Sequence, residues 1–166
     1  WRDGRVVFWQ IDHNGVPRAA KLMKYEPDGH RYHEKHGEKN STGWLYNQDG
    51  YRQVCDPKNH TILKPLFGSH LLKRYPDAKV NVVESEKTAL IMANYYGHPE
   101  SQLWLACGGL KFLSLDAMQP LIDEGRQVWL WPDKDGVKGW QDVADKLGSE
   151  KVNVYTKFFD ACWTEE

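Results

Sequence analysis

The second half of the chain alternates short apolar runs with segments of helical spacing, and this alternation narrows the possible folds more than any other feature. Lys79–Val83, Gln102–Ala106, Gln127–Trp131 and Lys151–Tyr155 are strand-like by their β-branched and aromatic content. Between them, Ser85–Tyr96 repeats apolar residues at Ala89, Ile91, Met92 and Tyr95, and Gly97 follows as a C-cap. Ser114–Glu124 begins with a serine suited to the N-cap, and Gly139–Leu147 supplies a third helix. Short strands separated by helices of ~10 residues predict an α/β fold with a mostly parallel sheet covered on both faces. Ligands of such sheets bind beyond the carboxyl ends of the strands, where the strand order reverses.

Those ends carry Glu84, Gly108-Gly109, Asp133 and Asp135. Three carboxylates brought to one edge repel one another unless a cation neutralises them. Oxygen donors of this kind suit Mg²⁺ or Mn²⁺, which bind through a few carboxylates, waters and substrate phosphates. The spacing in "PDKDG" lets Asp133 and Asp135 turn toward one ion. Sharing it with Glu84 requires the strand ending at Glu84 to lie beside the strand ending at Trp131. The plain alternative is that "DKDG" is only a turn, since Asp and Gly favour turns. A calcium loop is excluded because Val137 stands where an oxygen donor is needed. No G-x-x-x-x-G-K-[ST] phosphate loop occurs in the chain.

The first half has a different character. "RVVFWQI" and "RAAKLMKY" flank "DHNGVP", whose Asn-Gly pair favours a tight hairpin turn. "WLYNQDGYRQV" predicts a second hairpin, and "GSHLLKRYP" a short helix closed by Pro76. Up to Lys79 there are 14 Lys+Arg against 9 Asp+Glu, and from Val80 onward 8 against 14. A basic half followed by an acidic half fits one part meeting an anion and the other holding cations; two ordinary solvated surfaces would give the same count. Trp9, Tyr25, Trp44, Tyr46 and Tyr51 interleave with Arg5, Arg18, Lys21, Lys24 and Arg52. Rings and cations so mixed suit single-stranded nucleic acid, with Arg18, Lys21, Lys24 and Trp44 as the contacts; core packing is the other claim on those rings. His30, His33 and His36 lie in a polar loop without cysteine, which favours solvation over metal binding.

Three widely spaced cysteines, Cys55, Cys107 and Cys162, suggest neither disulfides nor a zinc knuckle, and a reducing, cytoplasmic setting follows as the expectation. No apolar stretch approaches the ~20 residues of a membrane helix. The opening "WRDGRVVFW" has neither Met nor a leader pattern, and the ending "DACWTEE" is equally arbitrary, as in a piece of a longer chain. The expected division is a β-rich subdomain over residues 1–78, an α/β domain over 79–158 and a tail over 159–166.

"VNVVESEK", "WLACGG" and "VWLWPDKDG" together resemble the topoisomerase–primase (TOPRIM) family, in its primase-like branch. The resemblance covers about Lys79 to Tyr155. "FWQIDHNGVPRAAKLMKY", "GHRY" and "LKPLFGSHLL" are similar to the β-rich segment that precedes the catalytic fold in phage, plasmid and other mobile-element primases. The resemblance implies a bacterial or phage replication enzyme that transfers nucleotides with Mg²⁺ or Mn²⁺. It makes Glu84 the general acid/base and a metal ligand, and Asp133 and Asp135 the other metal ligands. Gly108 and Gly109 would let phosphate approach the backbone, a plain turn after a strand being the alternative; Lys87 and Lys134 lie beside the acids, placed to meet phosphate or simply solvated. Implied partners are single-stranded DNA or RNA, nucleotides and a replicative helicase. The chain departs from the primase pattern at Ser85 and Thr88, where Gly and Asp are usual, and this bears on metal number and on activity itself.

Three other functions stay open: a nuclease of the same fold, a non-catalytic module binding nucleic acid or a replication partner, and a phosphatase reading of "DKDGV" with Asp133 as nucleophile. The last needs a Lys and further acids in later βα units, for which about thirty residues remain.

Overall fold

A computed structural model describes residues 4–32, 42–47, 65–148 and 150–156. It contains two sheets. The first is antiparallel, in the order β1-β2-β3, from Val6–Ile11, Pro17–Met23 and Thr42–Trp44. The expected first hairpin forms: Asp12 Oδ1 accepts from the backbone N–H groups of Asn14 and Val16, and Gly15 takes the left-handed conformation at φ 81°. The expected second hairpin does not form over its described part. Thr42–Trp44 pairs back onto β2, and Leu45–Asn47 turns into a 3-10 helix that buries Leu45. The rest of that stretch lies outside the described residues.

The second sheet is parallel, in the order β5-β4-β6-β7, from Gln102–Ala106, Lys79–Val83, Val128–Trp131 and Val152–Val154. Its observed strands begin or end within a residue of the expected limits. Helix α1 spans Glu86–Tyr96, capped by Ser85, whose side chain accepts from the Thr88 N–H, and closed by Gly97 at φ 61°. Helix α2 spans Leu115–Asp123 with Ser114 capping the Ala117 N–H, and α3 spans Val137–Leu147. "GSHLLKRYP" forms only a single 3-10 turn, Ser69–Leu71.

The two faces of the parallel sheet differ. Val80, Val82, Leu103, Leu105, Val128 and Leu130 pack under Met118 and Leu121 of α2 and Trp140 and Ala144 of α3. On the opposite face Val83, Trp104 and Ala106 pack against Ala89 and Met92 of α1. The segment before β4 joins the parallel sheet as well. Leu66 and Leu72 lie in its larger core, and Phe67 pairs with Ala106 through backbone hydrogen bonds of 2.7 and 3.1 Å. Buried Arg126 fastens the same segment by donating to the carbonyls of Leu72, Tyr75, Pro76 and Ala78. Residues 65–78 also meet the antiparallel sheet: Phe67 lies edge-on to Phe8 at 5.8 Å, and Lys73 donates to Asn14 Oδ1 at 2.8 Å.

Candidate functional site

Because β4 is flanked by β5 on one side and β6 on the other, the reversal of strand order falls between β4 and β6. Glu84 follows β4 there, and Asp133 and Asp135 lie in the loop after β6. The requirement that these two strands be neighbours is met. The Asp133 backbone N–H donates to Glu84 Oε1 at 3.2 Å, so the glutamate side chain turns into the aspartate loop. Gly136 makes that approach feasible. A Cβ at this position would stand 2.6 Å from Leu110 Cδ1 and 2.8 Å from Glu84 Oε1.

Two of the acids, Glu84 and Asp133, are raised. Partial burial pushes the Glu84 carboxyl above its ordinary value, and the charges of Asp133 and Asp135 push it further, against the Asp133 N–H. Asp133 is raised by desolvation and then by Asp135. Such a set of oxygen donors, short of positive charge, fits a hard divalent cation in its chemistry. It is not a finished cage: among the described residues no group of three or more His, Cys, Asp or Glu side chains is close enough to hold a metal ion.

The glycine turn after β5 has Gly108 at φ 89° and Gly109 at φ 149°, backbone conformations that favour glycine. The Gly108 N–H donates to the Glu84 carbonyl at 2.8 Å, so the turn is stitched to the strand end that carries the acid. Cys107 lies buried beneath it, and burial pushes its thiol up to about 12, with the charges of Glu84 and Glu86 adding to the effect. It is therefore a neutral packing group, not a nucleophile.

The basic residues expected at the ligand are dispersed. Lys134 is exposed between the aspartates. Lys87 donates to the Gly29 carbonyl at 2.7 Å and lies over the Tyr25 ring, which turns it toward the antiparallel unit. Arg18 pairs with Asp12 at 2.7 Å, and Lys24 sits over the Tyr32 ring. Trp44 stacks on Tyr46. Lys21 departs most from the surface contact expected of it. It is buried, and its ammonium donates to Glu86 Oε2 at 3.0 Å and to the Gly108 carbonyl at 2.7 Å. The cause is its place on the central strand of the first sheet, which packs against the start of α1. Tyr51, Arg52, His33 and His36 lie outside the described residues.

Glu86 and Gly136 were not singled out in the sequence. The signal for Glu86 was indirect, a lone lysine inside the apolar run "RAAKLM" that needs an acid if the strand is central. For Gly136 it was a glycine placed directly between an acid pair and a helix.

The family model for DUF6371, a domain of unknown function, matches residues 1–134. The chain belongs to that family. This DUF6371 chain is also similar in fold to the E. coli primase catalytic core, with a TM-score of 0.52 at 13% sequence identity. The likeness covers 91% of this chain and 43% of that one, so the chain spans under half the length of the solved primase core. No curated protein matches it. Among the described residues no helix is long and apolar enough to cross a membrane.

Proposed function

We propose that this chain is a TOPRIM-like, metal-dependent nucleotidyl-transfer domain of primase type, acting on single-stranded DNA or RNA in the cytoplasm. The observation that carries the reading is the edge shared by Glu84 and Asp133 at the reversal of strand order, where both carboxyls are raised and Asp135 adds to the repulsion. Glu84, Asp133 and Asp135 would hold Mg²⁺ or Mn²⁺, with waters and substrate phosphates completing the shell. The ion, when bound, would offset phosphate charge in the transition state. Glu84, its carboxyl raised above the ordinary value by burial and by the neighbouring aspartates, would take and return the proton of a nucleotide hydroxyl. Lys134, Lys87 and the Gly108-Gly109 turn would face the phosphates. The antiparallel unit, with residues up to 78, would be the part that meets template, and 79–158 the catalytic part, working beside a replicative helicase.

A specific observation favours a second reading, a binding module without turnover. Ser85 and Thr88, which replace the usual Gly and Asp, are spent on the start of α1: the Thr88 N–H donates to Ser85 Oγ at 3.0 Å and the two hydroxyls lie 2.9 Å apart. Incubation with Mg²⁺ or Mn²⁺, single-stranded template and nucleotides separates the readings, scored for both synthesis and cleavage. Synthesis abolished by Glu84→Gln, and partly restored to Asp133→Asn by raised Mn²⁺, is the expected result. Cleavage without synthesis would make it a nuclease. Template binding without turnover would leave the module.

A further inference from the structure

Among the described residues, helix α1 covers only part of one face of the parallel sheet. Helix α1 lies over β4 and β5, where Tyr96 stacks on Trp104 at 5.5 Å. Beyond it the face opens into a groove of about 290 Å³ lined by Lys79, Asn81, Gln102, Trp129, Trp131 and Tyr155. These residues come from the same strands that present an unbroken aliphatic surface to α2 and α3 on the other side. A sheet face made to receive a helix would repeat that aliphatic pattern. This one does not.

Its chemistry is instead that of rings, amides and a cation. Trp131 packs on Tyr155 with ring centres 4.2 Å apart, and Trp129 meets the same tyrosine edge-on at 6.5 Å. Asn81 sits in the middle of the face, accepting from Trp131 Nε1 at 3.0 Å and reaching toward the Gln102 amide at 3.5 Å. That network holds the indole in a fixed plane. Lys79 is exposed at the amino end of the groove, while Trp131 at the other end leads through Pro132 into the aspartate loop. Among the described residues, the buried Trp104 Nε1 in the adjoining row has no hydrogen-bond partner.

We propose that this groove is a second binding site, and that it takes bases of a single-stranded nucleic acid. Ring faces stack on bases whatever their identity, and a cation at the rim meets phosphate. Asn81 is buried and engaged in that network, which leaves the half-buried Gln102 amide to meet a base edge. The site lies on the parallel sheet, a different sheet from the one that carries Arg18 and Trp44. It needs no metal, so it stands or falls separately from turnover at the acid edge.

The test uses a short single-stranded oligonucleotide carrying 5-bromouracil, bound in EDTA and followed by fluorescence anisotropy and photocrosslinking. Crosslinks to Trp129, Trp131 or Tyr155 are expected. Trp129→Ala should weaken binding about tenfold, as loss of one stacked base does, and Trp129→Phe should restore most of it. Lys79→Gln should lower the salt slope by about one. Unchanged binding by Trp129→Ala, crosslinks confined to other residues, or no binding by the wild-type chain would overturn the proposal. Should Trp129→Ala lose its folded circular dichroism, the wild-type crosslink map and the Lys79→Gln slope decide. A Trp129→Ala protein that melts earlier but binds normally would show that the groove is covered by polypeptide instead.

Discussion

Glu84 and Glu86 flank one helix start and meet opposite surroundings. Glu86 is buried to 1% exposure at the junction of the two sheets and has its own cation, Lys21. Glu84 stands at the open edge, faces two further acids and has a backbone N–H for company. An acid that only holds a fold together comes with its countercharge. An acid left among like charges is stable only because the edge is solvated, and it is suited to something that arrives. The contrast separates a structural junction from a candidate reaction edge within three residues of chain.

The largest effect should come from breaking the junction. Lys21→Met leaves the Glu86 carboxylate buried without a cation and is expected to cost about 3–5 kcal/mol in urea unfolding. Replacing both members, as in Lys21→Met with Glu86→Met, should recover much of that loss, because two apolar groups leave no buried charge. No recovery would mean that the Lys21 bond to the Gly108 carbonyl, not the ion pair, is what matters.

Gly136→Ala probes the edge sterically. Its methyl would collide with Leu110 Cδ1 and Glu84 Oε1, both ends of flexible, half-buried side chains that can shift, so the cost should stay at about 1 kcal/mol. The variant should also lose any Mg²⁺-dependent rise in melting temperature, since Glu84 must turn away. A folded variant that keeps its metal response would detach Glu84 from the proposed site.

Neutralising the edge should do little to stability and in the opposite direction. Glu84→Gln and Asp133→Asn remove repulsion, so metal-free stability should hold or rise, by about 0.5 kcal/mol at most for one half-buried and one exposed position. Mg²⁺ should raise the wild-type melting temperature and raise that of Asp133→Asn less. A clear loss of stability in both variants without metal would make these acids structural, like Glu86.

The pH dependence gives the smallest and most specific signal. Because the Glu84 and Asp133 carboxyls are raised, the folded chain keeps protons that the unfolded chain has released. Their contribution is complete below the ordinary carboxylate range and is lost as pH rises through the raised values. Asp12 has the reverse sign: burial raises it, but the Val16 N–H and Arg18 outweigh that and hold it low. Its contribution is present above the ordinary range and fades as pH falls through the lowered value. Melting curves of metal-free protein should show the first slope, and the Glu84→Gln, Asp133→Asn double variant should flatten it.

The parallel half was legible because its order is local. Each strand is a continuous apolar run, each helix carries its own cap, and Glu84 and Asp133 take their places from strand ends alone. The antiparallel half was legible only where the chain turns on itself, at Asp12–Val16. The pairing of Thr42–Trp44 with β2 depends on contacts distant in sequence, as does the burial of Lys21. Residues Ala19 to Met23 are buried without alternation because their strand is central and covered on both sides, so a basic residue among them looks like a surface contact. The groove could have been suspected from "QVWLWP", where alternation sets Trp129 and Trp131 on one face. What no local pattern shows is that α1 stops short of covering them.

The position of β4 has a consequence for how the molecule comes into being. It is the first strand of the parallel sheet to be synthesised, yet both of its neighbours follow it in the chain. A nascent chain that has released β4 presents two bare hydrogen-bonding edges, and β5 closes only one of them. Not until Trp131 has emerged does the second edge close, and only the residues just beyond it bring Asp133 to Glu84. The junction acid meets Lys21, made long before, as soon as α1 docks. The edge acid gains its companions only once three of the four parallel strands have been made, with α3 and β7 still to follow.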